Sequence, residues 1–285
     1  MPPVISVVTP SYNQATFIEA TIESIHGGGY PAIEHIVIDG GSTDGSVDII
    51  RRHADKLAYW VSEPDGGQTE ALMKGFERAT GDIQCWLNSD DLFEPWTLHE
   101  VASEFERHPE TAWMYGDATW IDADGVVIKP QREHGFSRFI WMYGHNYIPQ
   151  PSTFWRSELY RAVGGLDPRF DLAMDADLWI RFADVTRPHH VRRPWSQMRF
   201  YAEQKNTAMR GASGREGSEI RRRYISPSRR ELKIKRLAAR TLRAGWKTTT
   251  GCYSFEEVSQ NLKTLLTGET WEQRHLRRES VDAGD

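Results

Sequence analysis

The N-terminal third of the chain alternates short apolar runs with helical periods, and this alternation constrains the fold more than any other feature. Ile5-Ser6-Val7-Val8-Thr9 reads as a buried strand that ends in the turn Pro10-Ser11-Tyr12-Asn13. Phe17, Ile18, Ile22 and Ile25 then recur at helical spacing until Gly27-Gly28-Gly29 stops the helix. His35-Ile36-Val37-Ile38-Asp39 is the next strand, and Gly40-Gly41-Ser42-Thr43-Asp44-Gly45 turns into a helix carrying Val47, Ile49 and Ile50. Ala58-Tyr59-Trp60-Val61 follows as a third strand, and Glu63-Pro64-Asp65-Gly66-Gly67 leads into a helix with Ala71, Leu72 and Phe76. Ile83 to Leu87 is the fourth strand. A strand–helix repeat of about thirty residues or fewer predicts a mostly parallel, right-handed α/β sheet with helices on both faces. Ligands of such sheets bind beyond the carboxyl ends of the strands. Thr9, Asp39, Asp65 and Asp90-Asp91 all fall at those ends, so four polar clusters converge on one rim.

Trp86-Leu87-Asn88-Ser89-Asp90-Asp91 is the most informative of these clusters: an apolar run that ends in two adjacent carboxylates. An acid pair at the mouth of a buried strand is costly unless it holds a cation or has partners. Mg2+ and Mn2+ favour oxygen ligands, and phosphates often complete their coordination. The pair therefore suggests a metal site that receives a phosphorylated substrate. The alternative is that Ser89-Asp90-Asp91 caps a helix beginning near Pro95.

The middle third is patterned differently. Trp113-Met114-Tyr115-Gly116-Asp117 reads as a strand, and Ala123-Asp124-Gly125 as a hairpin turn before Val126-Val127-Ile128. Residues 134–149 are rich in aromatics without clean periodicity, and most such side chains are core. His134, His145, His189 and His190 have no metal-ligand spacing. The two cysteines, Cys85 and Cys252, supply neither a disulfide framework nor a zinc motif. Met1-Pro2-Pro3 leads directly into the first strand and no apolar run is long enough to span a bilayer, so the expectation is a cytoplasmic protein.

Charge is unevenly distributed. Residues 1–105 hold five basic against seventeen acidic side chains, whereas residues 210–247 hold thirteen basic against three acidic ones. The net charge of −5 conceals this polarity. The basic stretch is either a surface for anionic lipid or a lipid-diphosphate acceptor, at the inner face of a membrane, or a helical tail that is solvated or packed on protein. Nucleic acid is not an expected partner, because no recognition motif interleaves with the basic run. A homo-oligomer is left open.

Several segments, in this order, resemble the inverting family 2 glycosyltransferases with the GT-A fold, of the bacterial surface-polysaccharide type. They are Val7–Asn13, Val37–Gly45, Asp65-Gly66-Gly67 with Ala71–Phe76, Trp86–Asp91, Gln150–Trp155 before Gly164-Gly165-Leu166-Asp167, and Met174–Arg181. The resemblance runs from about residue 4 to residue 207. It implies a GT-A (Rossmann-like), mostly parallel sheet divided into a nucleotide-sugar-binding half (1–115) and an acceptor-binding, catalytic half (116–208), followed by a basic helical extension (209–285). It also implies a divalent cation, Mn2+ or Mg2+, on Asp91 and Asp90, and a nucleotide-sugar donor, with UDP-sugars favoured. Thr9, Pro10 and Tyr12 resemble the family's base-binding wall, and Asp39, Asp65 and Asp90 join the nucleotide set. Asp39 is suited to accept a hydrogen bond from a base edge and Lys74 to meet the diphosphate as a point charge; a solvent-facing lysine is the plainer role for Lys74. Asp175 matches the catalytic base that would deprotonate an acceptor hydroxyl on a glycan or lipid-linked oligosaccharide, with Asp177 expected to cap or open the helix Leu178–Phe182. The chain departs from the family pattern at Asn88, Gly40, Met73, Met174 and Tyr201, where an acid, a second acid, Asn, Glu and His are usual. Two other classes compete. A sugar-phosphate nucleotidyltransferase would open on a Gly-rich basic loop, which Thr9–Asn13 is not, and a non-catalytic carbohydrate-binding relative would need no base or metal.

Overall fold

A computed structural model describes residues 1–205, 209–225 and 228–252; the part of the expected extension from 253 onward lies outside the described residues. Strand β1 (Ile5–Ser11) is buried along its whole length and forms the spine of the sheet. β2 (Ile33–Asp39) and β4 (Ile83–Trp86) flank it in parallel, with Val8 facing Ile36 on one side and Trp86 on the other. β3 (Tyr59–Ser62) lies parallel outside β2. Helices α1 (Ile18–Gly27), α2 (Ser46–Arg52) and α3 (Gln68–Arg78) fill the crossovers. Period-two alternation in β2 explains why helices cover both faces. Ile36 and Ile38 join the main core on one face, and Val37 packs with Ile18, Ile22 and Ile50 of α1 and α2 on the other.

Beyond β4 the sheet becomes mixed. Two-residue β5 (Leu92–Phe93) and helix α4 (Thr97–Arg107) precede β6 (Trp113–Ile121), which turns through a hairpin into β7 (Val127–Gln131). Helix α5 (Arg138–Tyr143), β8 (Thr153–Arg156), α6 (Ser157–Ala162), α7 (Met174–Val185) and β9 (His189–Arg199) complete the domain. The strand order is β3-β2-β1-β4-β8-β6-β9-β5, with β7 on β6. β8 runs antiparallel to both β4 and β6, and β9 runs parallel to β6. Consequently β6 and β9 end on the same rim as β1 to β4, and one sheet spans both halves of the sequence. Beneath it, Trp86 and Trp113 stack on Trp179 at 5.5 and 5.8 Å, and Trp155 closes the cluster at 5.6 Å from Trp179.

Two local expectations change. Helix α4 begins at Thr97 behind Trp96 and has no side-chain cap, so Ser89-Asp90-Asp91 does not cap it; β5 intervenes. Helix α7 begins at Met174, so Asp177 lies inside its first turn rather than at its cap. Asp177 is buried and holds Arg181 at 2.7 Å and Arg223 at 3.4 Å.

The basic C-terminal stretch is helical: α8 (Arg210–Tyr224) and α9 (Arg229–Thr249). Ser228 and Glu231 close a capping box at the start of α9. One face of α9 is fixed to the body by buried Glu133, which accepts from Arg243 at 2.9 Å and Lys247 at 3.2 Å, and Trp246 stacks on His134.

Helix α3 lies close on β1 because Gly75 has no side chain: a Cβ there would sit 2.3 Å from Cγ1 of Val8. Overpacking of this kind costs roughly 1–3 kcal/mol. Gly75→Ala should therefore lower the urea midpoint with an unchanged m-value; an unaltered midpoint would contradict the packing described.

Candidate active site

Two clefts open along the strand-end rim and meet at Gln68, Asn88, Asp171 and Gln204. The first, of about 580 Å3, is lined by Pro10, Ser11 and Tyr12 from the end of β1, by Gly40 and Asp65, and by Asp90, Tyr201 and Lys205. Ser11 Oγ is buried there without a hydrogen-bond partner among the described residues, so the wall has polar capacity left for a ligand. Asp65 is half-buried and its carboxyl is raised, chiefly by burial, although it accepts from the Gly67 amide at 2.9 Å. A Cβ at Gly40 would stand 3.1 Å from the Asp65 carboxylate, so the glycine makes room where an acidic side chain would crowd and repel it.

Three of the expected nucleotide residues do not face this cleft. Thr9 is fully buried, with Oγ1 3.1 Å from Nε2 of His35, which is itself held down to about 3 by burial and by His26. Asp39 is fully buried and already accepts from the Gly41 and Ser42 amides and from the Ser42 and Ser62 hydroxyls. It braces the turn that presents Gly40. Lys74 lies off the cleft, 3.1 Å from both Glu63 and Glu70. The cation present in the cleft is Lys205, 2.6 Å from Asp171 and in reach of Gln68 at 3.4 Å. No sequence pattern marked it.

Asp90 and Asp91 sit at the junction, Asp90 lining the first cleft and Asp91 the second. Both are buried, and neither is ion-paired among the described residues. Asp90 accepts from the Tyr201 hydroxyl at 3.0 Å. Asp91 accepts from the Arg199 amide at 2.9 Å and from Asn88 Nδ2 at 3.3 Å. The Arg199 guanidinium spends its donors on backbone carbonyls, including that of Asp90 at 2.9 Å, and stacks over Phe17. Asn88 is held in turn by Gln68 at 2.8 Å and Gln150 at 3.2 Å. Burial raises both carboxyls, and for Asp91 the neighbouring Asp90 charge raises it further. Two crowded, buried, all-oxygen donors with no cationic side chain on either fit a hard divalent cation.

Asp175 lines the second cleft, of about 600 Å3, together with Trp120, His145, Asn146, Gln150 and Arg221. Burial pushes its carboxyl up to about 6, against the opposing hydrogen bonds from the Ala176 amide and from Asn146, whose Nδ2 donates at 2.8 Å. Glu216 of α8 accepts from the amides of Asp171, Leu172 and Ala173 at 2.9–3.2 Å, pinning the segment that delivers Asp175. A carboxylate at a helix N-terminus satisfies amides that otherwise lack partners. Glu216 lies far along the chain, and only the fold brings it here.

A curled α/β sheet with paired carboxylates and a half-buried aspartate along one rim defines a GT-A-type transferase architecture. Residues 6–157 match the family described as Glycosyl transferase family 2, and the chain belongs to that family. An uncharacterized glycosyltransferase of Mycobacterium tuberculosis is 32% identical over 194 residues, 67% of this chain and 72% of that protein. An O-antigen biosynthesis protein of Myxococcus xanthus is 28% identical over 193 residues, which make up 65% of this chain but only 15% of the relative. The fold is shared with S. aureus TarS in complex with UDP-GlcNAc, at TM-score 0.63 and 17% identity over 82% of this chain and 70% of that one. It is also shared with the mannosyltransferase PcManGT from Pyrobaculum calidifontis in complex with GDP-Man and Mn2+, at TM-score 0.63 and 18% identity over 98% and 85%.

The acid pair has a consequence for stability. Asp90 titrates above its usual 3.8 in the folded chain, so ionisation weakens the fold as pH rises through the folded-state value, and the penalty is absent below 3.8. Asp90→Asn keeps an acceptor for Tyr201 and removes one charge. In EDTA at pH 8 it should melt roughly 2–4 °C above wild type, with the gap closing near pH 4. A variant that melts lower than wild type at pH 8 would contradict the crowding of the pair.

Proposed function

We propose that the protein transfers a sugar from a nucleoside-diphosphate sugar, UDP-sugars being favoured, to an acceptor hydroxyl on a glycan or lipid-linked oligosaccharide, with inversion at the anomeric carbon. The observation that carries this is Asp175: a half-buried carboxylate with a raised pKa, in a cleft that adjoins the Asp90–Asp91 pair. Residues 1–115 form the donor half, with the first cleft taking the nucleotide against Pro10, Tyr12 and Asp65 and with Lys205 beside the diphosphate. Residues 116–208 form the catalytic half. The nucleotide sugars in TarS and PcManGT and the O-antigen role of the Myxococcus relative are consistent with this substrate class.

The chemistry follows from the acids. A sugar hydroxyl is a poor nucleophile near neutral pH, and Asp175 takes its proton as it attacks the anomeric carbon. Asn146 orients the carboxylate, and burial keeps it basic enough for the task. Asp91 and Asp90 would hold Mn2+ or Mg2+. When bound, the cation neutralises charge developing on the leaving diphosphate. No covalent enzyme intermediate is needed.

Asp175→Asn should retain nucleotide affinity and lose at least about a hundredfold in transfer rate, the low end of general-base effects. The wild-type rate should fall about tenfold per pH unit below pH 6, because the base must be ionised. Wild-type turnover by Asp175→Asn, or a flat rate down to pH 5, would remove Asp175 from this role. Transfer undiminished in excess EDTA would remove the metal. Consumption of a nucleoside triphosphate instead of release of a diphosphate would favour a nucleotidyltransferase.

We also propose that α9 docks the enzyme on an anionic membrane. Ile234 and Leu237 are exposed on its outer face, flanked by Lys233, Arg236 and Arg240. Apolar anchors beside basic residues suit an anionic lipid surface, where each basic residue contributes about 1 kcal/mol at low salt. No helix among the described residues is long and apolar enough to cross a membrane. In vesicle sedimentation the full-length Ile234→Glu/Leu237→Glu variant should stay in the supernatant with anionic vesicles that pellet wild type; equal pelleting would exclude this face.

A further inference from the structure

The outer wall of the second cleft is helix α8. Ser213, Gly217 and Arg221 follow one another at four-residue steps, and with Gly214 they line the cleft opened over Asp175. The glycines leave this face open. A Cβ at Gly214 would meet nothing within 4 Å, and one at Gly217 would meet only the Arg221 guanidinium at 4.0 Å.

Arg221 differs from the cations around it. Arg181 pairs with Asp177, Arg223 with Asp167 and Asp177, Lys205 with Asp171, and Arg243 and Lys247 with Glu133. Arg221 has no carboxylate partner among the described residues, and its Nε is buried without a hydrogen bond. It is also the only lysine or arginine among the described residues that line this cleft. Burial, with the nearby Arg236 charge, weakens its hold on the proton, but a guanidinium remains charged at neutral pH. A half-buried guanidinium with its Nε shut off from solvent, no carboxylate partner and open space before it is a costly arrangement that a bound anion relieves.

We propose that Arg221 is a specificity residue that binds an oxyanion of the acceptor, a phosphate or a carboxylate carried near the sugar whose hydroxyl is attacked. This rests on the reading of the second cleft as the acceptor side of Asp175. The planar fork of a guanidinium matches either group through two parallel hydrogen bonds, which a lysine cannot reproduce. A phosphate would come from a lipid phosphate linkage and a carboxylate from a uronic acid; the recognition chemistry is the same.

The test uses the full chain saturated with the nucleoside diphosphate it binds best, so that the first cleft is filled. Hexyl phosphate, glucuronate and glucose are then titrated by calorimetry into wild type, Arg221→Met and Arg221→Lys. Wild type should bind at least one of the two anions at least tenfold more tightly than glucose. Arg221→Met should lose that preference while keeping its nucleoside-diphosphate affinity, and Arg221→Lys should recover it only in part. Preference for hexyl phosphate assigns a lipid-phosphate acceptor, and preference for glucuronate an acidic glycan. Should Arg221→Met also lose nucleotide affinity, the lysine variant decides, with anion binding at least threefold weaker expected. Wild type that binds neither anion above glucose, or anion binding unchanged in the variants, overturns the proposal. A chain that binds and turns over no nucleotide sugar would overturn the transferase reading instead, which the anion titration leaves separate.

Discussion

Everything at the strand-end rim depends on holding two adjacent carboxylates where water is scarce. Asp90 and Asp91 repel each other, and burial removes the solvent that would screen them. The fold keeps them in place without neutralising them. A phenol serves one carboxylate, a backbone amide and an asparagine serve the other, and the one nearby guanidinium is committed to carbonyl groups. Had Arg199 paired directly with either acid, the pair would be a structural salt bridge with little affinity left for a cation. The Gln68–Asn88–Gln150 relay extends the same neutral scaffold across the junction of the clefts. In this chain Asn88 stands where the family usually has an acid, and it acts as a hub of hydrogen bonds.

The frame of the fold was legible in the sequence because its signals are local. The four parallel strands, the crossover helices and the hairpin after β6 all follow from periodicity and turn residues. The rim was legible too, since strand ends follow from strand direction. Which side chains face the ligand was less so. The i,i+4 spacing of Glu70 and Lys74, and the three-residue step from Asp39 to Ser42, were visible signs that these groups could satisfy each other. The partner of Thr9 on the neighbouring strand was not visible. The start of α7 was not legible because the segment that leads into it, residues 171–173, is pinned by Glu216, which no window of local sequence includes. Lys205 and Tyr201 likewise reach the rim only through the long return of β9.

The C-terminal stretch divides its basic residues among three tasks. Arg223 ties α8 to Asp167 and Asp177, and Arg243 and Lys247 satisfy the buried Glu133, so these cations hold the helices to the catalytic body. Others, such as Lys233 and Arg240, remain exposed on α9. Arg221 belongs to neither set. The stretch is therefore both packed on protein and available for contact, and α8 supplies a wall of the second cleft together with the carboxylate that pins the Asp175 segment.

The central claim is a single displacement in which a base on one side of the anomeric carbon and a leaving diphosphate on the other face each other across the junction of the clefts. It is tested most directly by the anomeric configuration of the product, read by proton NMR on the glycoside formed from whichever nucleotide sugar the enzyme accepts. The account predicts a product of opposite anomeric configuration to the donor. A product that retains the donor configuration would contradict it, because retention needs a second displacement or a front-face path that Asp175 as sole base does not provide.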